Sequence, residues 1–447
     1  MKTLATLTIS SIFLLTSIPC MAKKYSKPNI VLIMADDLGY GDISCYGSTK
    51  INTPNIDRLA LQGVKFLDFH SNGTVCSPTR AALMTGKYQQ RTGVEGVITA
   101  ASHREVGLSL SEITLAEELK KQGYSTGIFG KWHLGYAENY SPFKQGFDSF
   151  WGYVGGNIDY QSHVDQEGYL DWWNNVSISD QEGYSTDLIT KYGVEFIKNS
   201  NPKNTGKPFF LYLPHEAPHY PFQGRKDAAV RKEGSSTYTR KVNQDSIPFI
   251  YKEMIEIMDE GIGKVMQTID DEGLRENTII VFCSDNGGTK YGSNGVLRDF
   301  KASLYEGGHR VPAIISFPGK IKEGTTTNET VLSMDFLPTF LDFIGVKPSG
   351  KNIDGVSIKN LLLHGKKLAN RDLFWSFGDK SVIRNGDWKL ISSKSKGKIT
   401  NEVYNLKNDL GEKKDLNSTK TQYVKEMLLK LEKWEKEVRI GVTIIAK

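Results

Sequence analysis

Asn29-Ile30-Val31-Leu32-Ile33-Met34-Ala35-Asp36-Asp37 is an apolar run that ends on two adjacent carboxylates. Aliphatic residues in unbroken succession, with no polar alternation, predict a strand over 29–34 buried on both faces, as strands of parallel sheets are. Runs of the same kind recur at 64–69, 125–129, 209–213, 278–283 and 313–317, while 54–62, 114–122, 185–198, 249–271 and 334–344 read as helices. Strand and helix in alternation predict an α/β fold, a large doubly wound, mostly parallel sheet with helices on both faces. Pro- and Gly-containing residues 347–355 mark a boundary, beyond which 381–390 and 399–404 predict antiparallel strands and 422–438 a helix. The expected organisation is one large domain over 23–350 and a smaller C-terminal α+β subdomain, an antiparallel sheet with a terminal helix, over 351–447.

The first 22 residues stand apart. Met1-Lys2, an apolar stretch at 9–18 and Cys20-Met21-Ala22 before Lys23 have the make-up of a cleaved signal peptide, too short to span a bilayer. Pro19 is wrong for lipid attachment at Cys20, so the expected location is periplasmic or secreted. The 447 residues are 39% hydrophobic and carry a formal charge of only +5, without a polybasic tract. Nucleic acid and anionic membrane are poor partners for such a chain, and no integral membrane span is expected. Beyond the signal, Cys45, Cys76 and Cys283 remain. An odd number in an oxidising compartment predicts a thiol kept for chemistry, with Cys45 and Cys283 unpaired.

In open α/β sheets ligands bind beyond the carboxyl ends of the strands, and this chain puts its reactive residues there. Asp36 and Asp37 follow the first strand; Asp285 and Asn286 follow 278–283. In isolation such residues commonly cap turns. Converging from two strand ends, they form an oxygen-only nest suited to calcium or magnesium, with no His or Cys alongside to favour zinc. Cys76-Ser77-Pro78-Thr79-Arg80 predicts a helix start, with Ser77 as N-cap, Pro78 as the first helical residue and Gly86 as terminator. Cys76 then lies where helix N–H groups favour anions, and Arg80 shares its face.

Lys131 and His133, which extended backbone would point the same way, follow another strand; His215 and His219 sit in a proline-rich segment after 209–213. Lys301 precedes Tyr305-Glu306-Gly307-Gly308-His309-Arg310. Any one such His is commonly structural, but together they predict a cationic cluster that faces the acidic nest and suits a dianionic tetrahedral group. Residues 147–173 are rich in aromatics, with His163 and Trp172 among them. Such side chains stack on sugar rings, although aromatic clusters are commonly core.

The signature from Cys76 to Gly86 resembles the one at which type I sulfatases of the alkaline phosphatase-like superfamily convert cysteine to formylglycine (3-oxoalanine). Asp36-Asp37-Leu38-Gly39-Tyr40-Gly41-Asp42 and Asp285-Asn286-Gly287-Gly288 resemble that family's two metal segments, and similarity extends to Asn385-Gly386-Asp387-Trp388-Lys389-Leu390. By that resemblance 23–350 is a catalytic sulfatase domain, Asp36, Asp37, Asp285 and Asn286 bind one Ca2+, and Cys76 is the modified nucleophile. Arg80, Lys131, His133, His219 and Lys301 complete the site, with His215 as a substrate contact or a structural residue. The hydrated aldehyde would offer one hydroxyl to attack sulfur and a second to release sulfate, with Asp285 as base, His219 and Lys301 as proton donors and His133 as proton acceptor.

The resemblance implies a sulfated oligosaccharide or polysaccharide as partner, a carrageenan-like galactan before a glycosaminoglycan, and a formylglycine-generating maturation enzyme. His163 and Trp172 are the expected sugar contacts. Rival readings are a phosphonate or phosphodiester hydrolase of the same superfamily and an unmodified, non-catalytic glycan-binding protein. A zinc phosphatase is disfavoured because Asn286 stands where those relatives place histidine. Asn405 departs from the acidic residue frequent in the family's C-terminal element, far from the chemistry.

Overall fold

The computed structural model describes residues 27–240 and 242–447, so the predicted signal peptide 1–22 lies outside the described residues. Ten strands form one sheet, in the order Thr325–Thr327, Val64–Phe66, Ala313–Ser316, Thr278–Ser284, Asn29–Ala35, Phe209–Pro214, Ser125–Lys131, Ser149–Tyr153, Trp173–Asn174, Ser177–Ile178. The five from Thr278–Ser284 to Ser149–Tyr153 are all parallel. Side-chain alternation along Asn29–Ala35 divides the core between the two faces. Ile30, Leu32 and Met34 pack with helices Cys76–Thr85, Leu115–Lys121 and Phe336–Phe343. Val31, Ile33 and Ala35 pack with Pro54–Leu61, Ser185–Asn199 and Ile247–Asp271. The architecture is the doubly wound sheet expected from the sequence, and among the described residues no helix is long and apolar enough to cross a membrane.

Several details depart from expectation. The strand expected over 64–69 is broken: Val64–Phe66 stays in the large sheet, while Phe69–His70 pairs with Val331–Leu332. Residues 381–390 form a hairpin, Lys380–Asn385 and Trp388–Ser395, turned at Gly386 with φ 55°. With Asp372–Phe377 and Lys398–Asn405 they make a four-stranded antiparallel sheet, against which Thr421–Glu437 packs. Leu361 and Leu362 of helix Lys359–His364 still belong to the core of the large sheet, so the smaller sheet begins well after residue 350. The strand Ser149–Tyr153 escaped notice because three aromatics interrupted by a glycine carry little periodicity.

Ile33 is fully buried on the strand that delivers Asp36 and Asp37. Ile33→Ala is expected to lower unfolding stability by about 2–5 kcal/mol, read from chemical denaturation; a loss below about 0.5 kcal/mol would contradict this account of the core.

Candidate active site

Thr278–Ser284, Asn29–Ala35, Phe209–Pro214 and Ser125–Lys131 are consecutive neighbours, so their carboxyl ends open on one place. There they deliver Asp285 with Asn286, Asp36 with Asp37, His215 to His219, and Lys131. Helix Cys76–Thr85 runs into this point with all ten residues buried, starting at Cys76 itself and closing at Gly86 with φ 68°. Ser77 is therefore not the N-cap; Val75 holds that position and Pro78 is the third helical residue, where a missing N–H is still harmless. Ser77 Oγ instead accepts from the Ile98 N–H at 3.1 Å.

The Cys76 thiol donates to Asp36 Oδ1 at 3.4 Å, and Lys301 Nζ stands 3.6 Å from the sulfur. Lys131 Nζ bonds Asp36 Oδ2. Arg80 grips Asp285 Oδ2 through Nε and Nη2, at 3.2 and 2.9 Å, and donates Nη1 to the Lys131 carbonyl at 2.9 Å. Lys301 Nζ lies 2.7 Å from Asp37 Oδ1, and Asn286 Nδ2 donates to the same oxygen at 2.7 Å. Three carboxylates thus face three cations, and all but Lys301 are almost fully enclosed. Asp37 and His133 adopt positive φ, 65° and 58°. His133 therefore does not continue the extended backbone of Lys131, and local strain is held by the surrounding contacts.

Burial raises a carboxylic acid, but Lys301 and His219 overcome it at Asp37 and hold it at about 2. At Asp285 burial and neighbouring Asp36 prevail over Arg80, and the group rises to about 6. Burial pulls His219 down to about 3 and His215 to about 4; burial, Lys131 and Arg80 keep His133 well below the usual imidazole range. The two site histidines, His133 and His219, are neutral, and their tautomers follow from their bonds. His219 Nδ1 is 2.7 Å from the Tyr220 carbonyl and donates to it, leaving Nε2 towards Asp37 Oδ2 at 3.6 Å. His133 Nε2 donates to the Ile98 carbonyl at 3.0 Å, which leaves Nδ1 as a buried acceptor without a partner. Burial and Asp36 push the Cys76 thiol well above its ordinary value, so the unmodified side chain is a weak nucleophile.

The donor set fits a hard divalent cation. Asp36, Asp37, Asp285 and Asn286 present oxygens from two adjacent strand ends, and Asn286 Oδ1 is buried with no hydrogen-bond partner. In space, however, Cys76 and His219 also come within 4.8 Å of Asp36 and Asp37, so the expectation that no thiol or imidazole stands beside the acids is corrected.

The site opens into a cleft of about 430 Å³, lined by Asp37, Cys76, His133, His219 and Lys301 at its base and by Thr99, Tyr136, Asn157, Gln166 and Tyr220 higher up. His163 and Trp172 do not line it. They are 1% and 0% exposed, stack on each other at 4.6 Å, and His163 Nε2 bonds the Gly183 carbonyl at 2.8 Å, which corrects their assignment as sugar contacts. Aromatic side chains in a glycine-broken stretch found more apolar surface to bury inward than outward. His215 is likewise buried, with Nδ1 unpartnered. His309 and Arg310 leave the expected cationic cluster altogether: His309 meets His70 Nδ1 to Nδ1 at 2.9 Å, and Arg310 binds Asp68 at 3.0 Å. Sequence reasoning missed Ile98, which acts through its backbone and leaves no residue-type signal. Tyr136 and Tyr220 were also missed, although Tyr220 adjoins His219 in the proline-rich segment.

Trp172→Ala is expected to cost about 3–5 kcal/mol of stability while lowering turnover of small and large substrates alike in the fraction that folds. A selective loss on the larger substrate, at an unchanged melting temperature, would restore the sugar-contact reading.

A family model described as Sulfatase matches residues 28–346, and one described as N-sulphoglucosamine sulphohydrolase, C-terminal, matches 298–437. Arylsulfatase A of Homo sapiens is 34% identical over 393 residues, spanning 81% of this chain and 74% of its own. N-acetylgalactosamine-6-sulfatase of Rattus norvegicus is 33% identical over 376 residues, spanning 79% and 68%. Among solved structures, Ps i-CgsB is similar with a TM-score of 0.82 at 30% identity, covering 92% of this chain and 93% of that one. Its complex with k-i-k-neocarrahexaose gives 0.80 at the same identity and coverage. A match that begins one residue before the first strand and runs past the last strands of the large sheet, with relatives of this identity over most of the chain, places the protein in the sulfatase family as a sulfuric ester hydrolase.

Proposed function

We propose that this enzyme removes sulfate from a sulfated carbohydrate, with residue 76 working as formylglycine beside one calcium ion. The observation that carries the reading is the setting of Cys76: at the first turn of a buried helix, between Asp36 and Lys301, with its thiol held protonated. A hydrated aldehyde at this position supplies one hydroxyl to attack sulfur and a second whose deprotonation expels sulfate. Asp36, Asp37, Asp285 and Asn286 would hold a divalent cation, which would supply Lewis-acid polarisation of a sulfate and tip a balanced set of charges to net positive.

The chain's own groups do the rest. Arg80 and Lys131 hold Asp285 and Asp36 in place; Lys131 and Lys301 offset charge on the sulfate. His133 accepts a proton at Nδ1, the nitrogen its bond to Ile98 leaves free. Lys301 delivers a proton to the departing alcohol, while His219 Nε2, which carries no proton, faces the site as a hydrogen-bond acceptor. Asp285, raised to about 6 by burial and Asp36, serves as base.

For the carbohydrate, the support is the likeness to Ps i-CgsB, whose complex holds k-i-k-neocarrahexaose, together with the chemistry of the rim. Tyr136 and Tyr220 offer aromatic faces and Asn157, Gln166 and Asp165 offer hydrogen bonds, a mixture suited to sugar rings. A carrageenan-like galactan is the substrate we propose, met in the periplasm or outside the cell after a formylglycine-generating enzyme has acted on Cys76.

Cys76→Ser, its unmodified serine verified by peptide mass, is expected to bind substrate and lose turnover by on the order of 10³-fold or more. Full turnover would sink the nucleophile assignment. Chelation is expected to abolish activity, and calcium to restore it better than zinc; stoichiometric zinc in active protein would overturn the cation assignment. Matched sulfate and phosphate esters separate this reading from a phosphonate or phosphodiester hydrolase, the sulfate being the faster. A native chain with unmodified Cys76 would instead mark a glycan-binding protein.

A further inference from the structure

One wall of the cleft is held in place by the far end of the chain. After helix Gln89–Thr92, Glu95 and Gly96 donate to the Ala446 carbonyl at 2.8 and 2.9 Å, and Ile445 N–H donates to the Gly93 carbonyl at 2.8 Å. The approach is close enough to exclude side chains. A Cβ on Gly93 would stand 2.1 Å from the Thr443 carbonyl oxygen, and one on Gly96 would stand 2.4 Å from the Lys447 carbonyl carbon. Arg439 adds a bidentate pair to Glu95, at 2.7 and 2.6 Å. Glu95 is 7% exposed and Ala446 2%, while the Arg439 side chain is 30% exposed, so the carboxylate is shielded and the arginine that grips it is partly open to water.

The same loop reaches the chemistry at once. Ile98, fully buried, donates its N–H to Ser77 Oγ at 3.1 Å and accepts His133 Nε2 at 3.0 Å through its carbonyl. That carbonyl decides which imidazole nitrogen carries the proton, and so which one is free to accept another. His133 sits at a positive φ and has no other side-chain hydrogen bond among the described residues, so the Ile98 oxygen is its one polar anchor.

We propose that residues 439–446, with Arg439 and Glu95 as the clamp, are positioning elements for His133: they fix the Ile98 carbonyl and, through it, the tautomer and aim of the imidazole. The inference rests on the reading of His133 as proton acceptor. A displacement of the carbonyl by even an ångström would let the ring rotate or exchange tautomers, a loss that falls on the chemical step and not on substrate affinity.

The experiment uses the matured full chain and an aryl sulfate, with kcat, KM and melting temperature measured for Arg439→Glu, Glu95→Arg, the double exchange, His133→Ala, and His133→Ala combined with Arg439→Glu. Arg439→Glu is expected to lower kcat about tenfold with KM within about twofold, and the double exchange to recover kcat to within about threefold of the parent. In the slowed His133→Ala enzyme, adding Arg439→Glu is expected to cost no further kcat, since the group it positions is gone. An equal further loss in that background, or an unchanged kcat in folded Arg439→Glu, overturns the proposal. Should Arg439→Glu fail to fold, Arg439→Gln carries the same cycle with the same two outcomes. Full turnover by His133→Ala would remove the proton-acceptor reading and this inference with it; a slowed His133→Ala beside a fully active Arg439→Glu removes the inference alone.

Discussion

Charge balance among closely enclosed side chains is the constraint on which the rest of this structure depends. Asp36, Asp37 and Asp285 are each at most 1% exposed, and Arg80 and Lys131 are as deeply enclosed. An unpaired charge at such depth costs several kcal/mol, and removing one member of a buried pair costs about 3–5 kcal/mol. Each carboxylate is therefore tied to a cation from a different part of the chain: Asp36 to Lys131, Asp37 to Lys301, Asp285 to Arg80. These ties join the ends of strands Asn29–Ala35, Ser125–Lys131 and Thr278–Ser284 to helix Cys76–Thr85 and to the loop that carries Lys301. For the reaction we propose, groups already ionised and already oriented need no reorganisation when charge develops on a sulfate.

The same device repeats where the two sheets meet. Asp68, Glu306 and Glu412 face Arg310, Arg384 and Lys389, with the His70 and His309 rings against Trp375. Glu306 lies 4.0 Å from Nε2 of His309, the two histidines meet through Nδ1, and His70, Glu306 and His309 bring side-chain donor atoms within 4.8 Å of one another. Their effect is mechanical. Arg298 donates to the Tyr404 hydroxyl and the Glu412 carbonyl, at 3.2 and 2.7 Å, and stacks over Tyr305. The segment so fixed contains Lys301, which means that the smaller sheet helps to place a cation of the candidate site.

Much of the fold was legible because burial imposes period and run length on sequence. Strands 278–283 and 209–213 are a residue short of the observed Thr278–Ser284 and Phe209–Pro214, and helix 185–198 matches Ser185–Asn199 almost to the end. Breaks were harder to read. Leu67 and Asp68 interrupt the strand expected over 64–69 because Asp68 is needed by Arg310 and Arg384, neither of them near in sequence. Likewise the direction of an aromatic side chain is not written locally: Trp172 could have faced sugar, but the adjoining wall offered His163 and a closed apolar pocket.

By itself the sequence determined the alternation of buried strands and amphipathic helices, the oxygen donors at two strand ends, and a signature around residue 76 that resembles one family. Those features depend on residue type and short spacing, which the chain carries locally. Only the tertiary structure decided which cation meets which carboxylate, which of the conspicuous histidines enter the site, and which rings are core. It also brought the Ala446 carbonyl to Glu95 and the Ile98 carbonyl to His133, contacts made by backbone atoms that every residue possesses. Pairings between distant segments follow from strand order and from the need to neutralise every buried charge at once, and no single stretch of sequence contains that information.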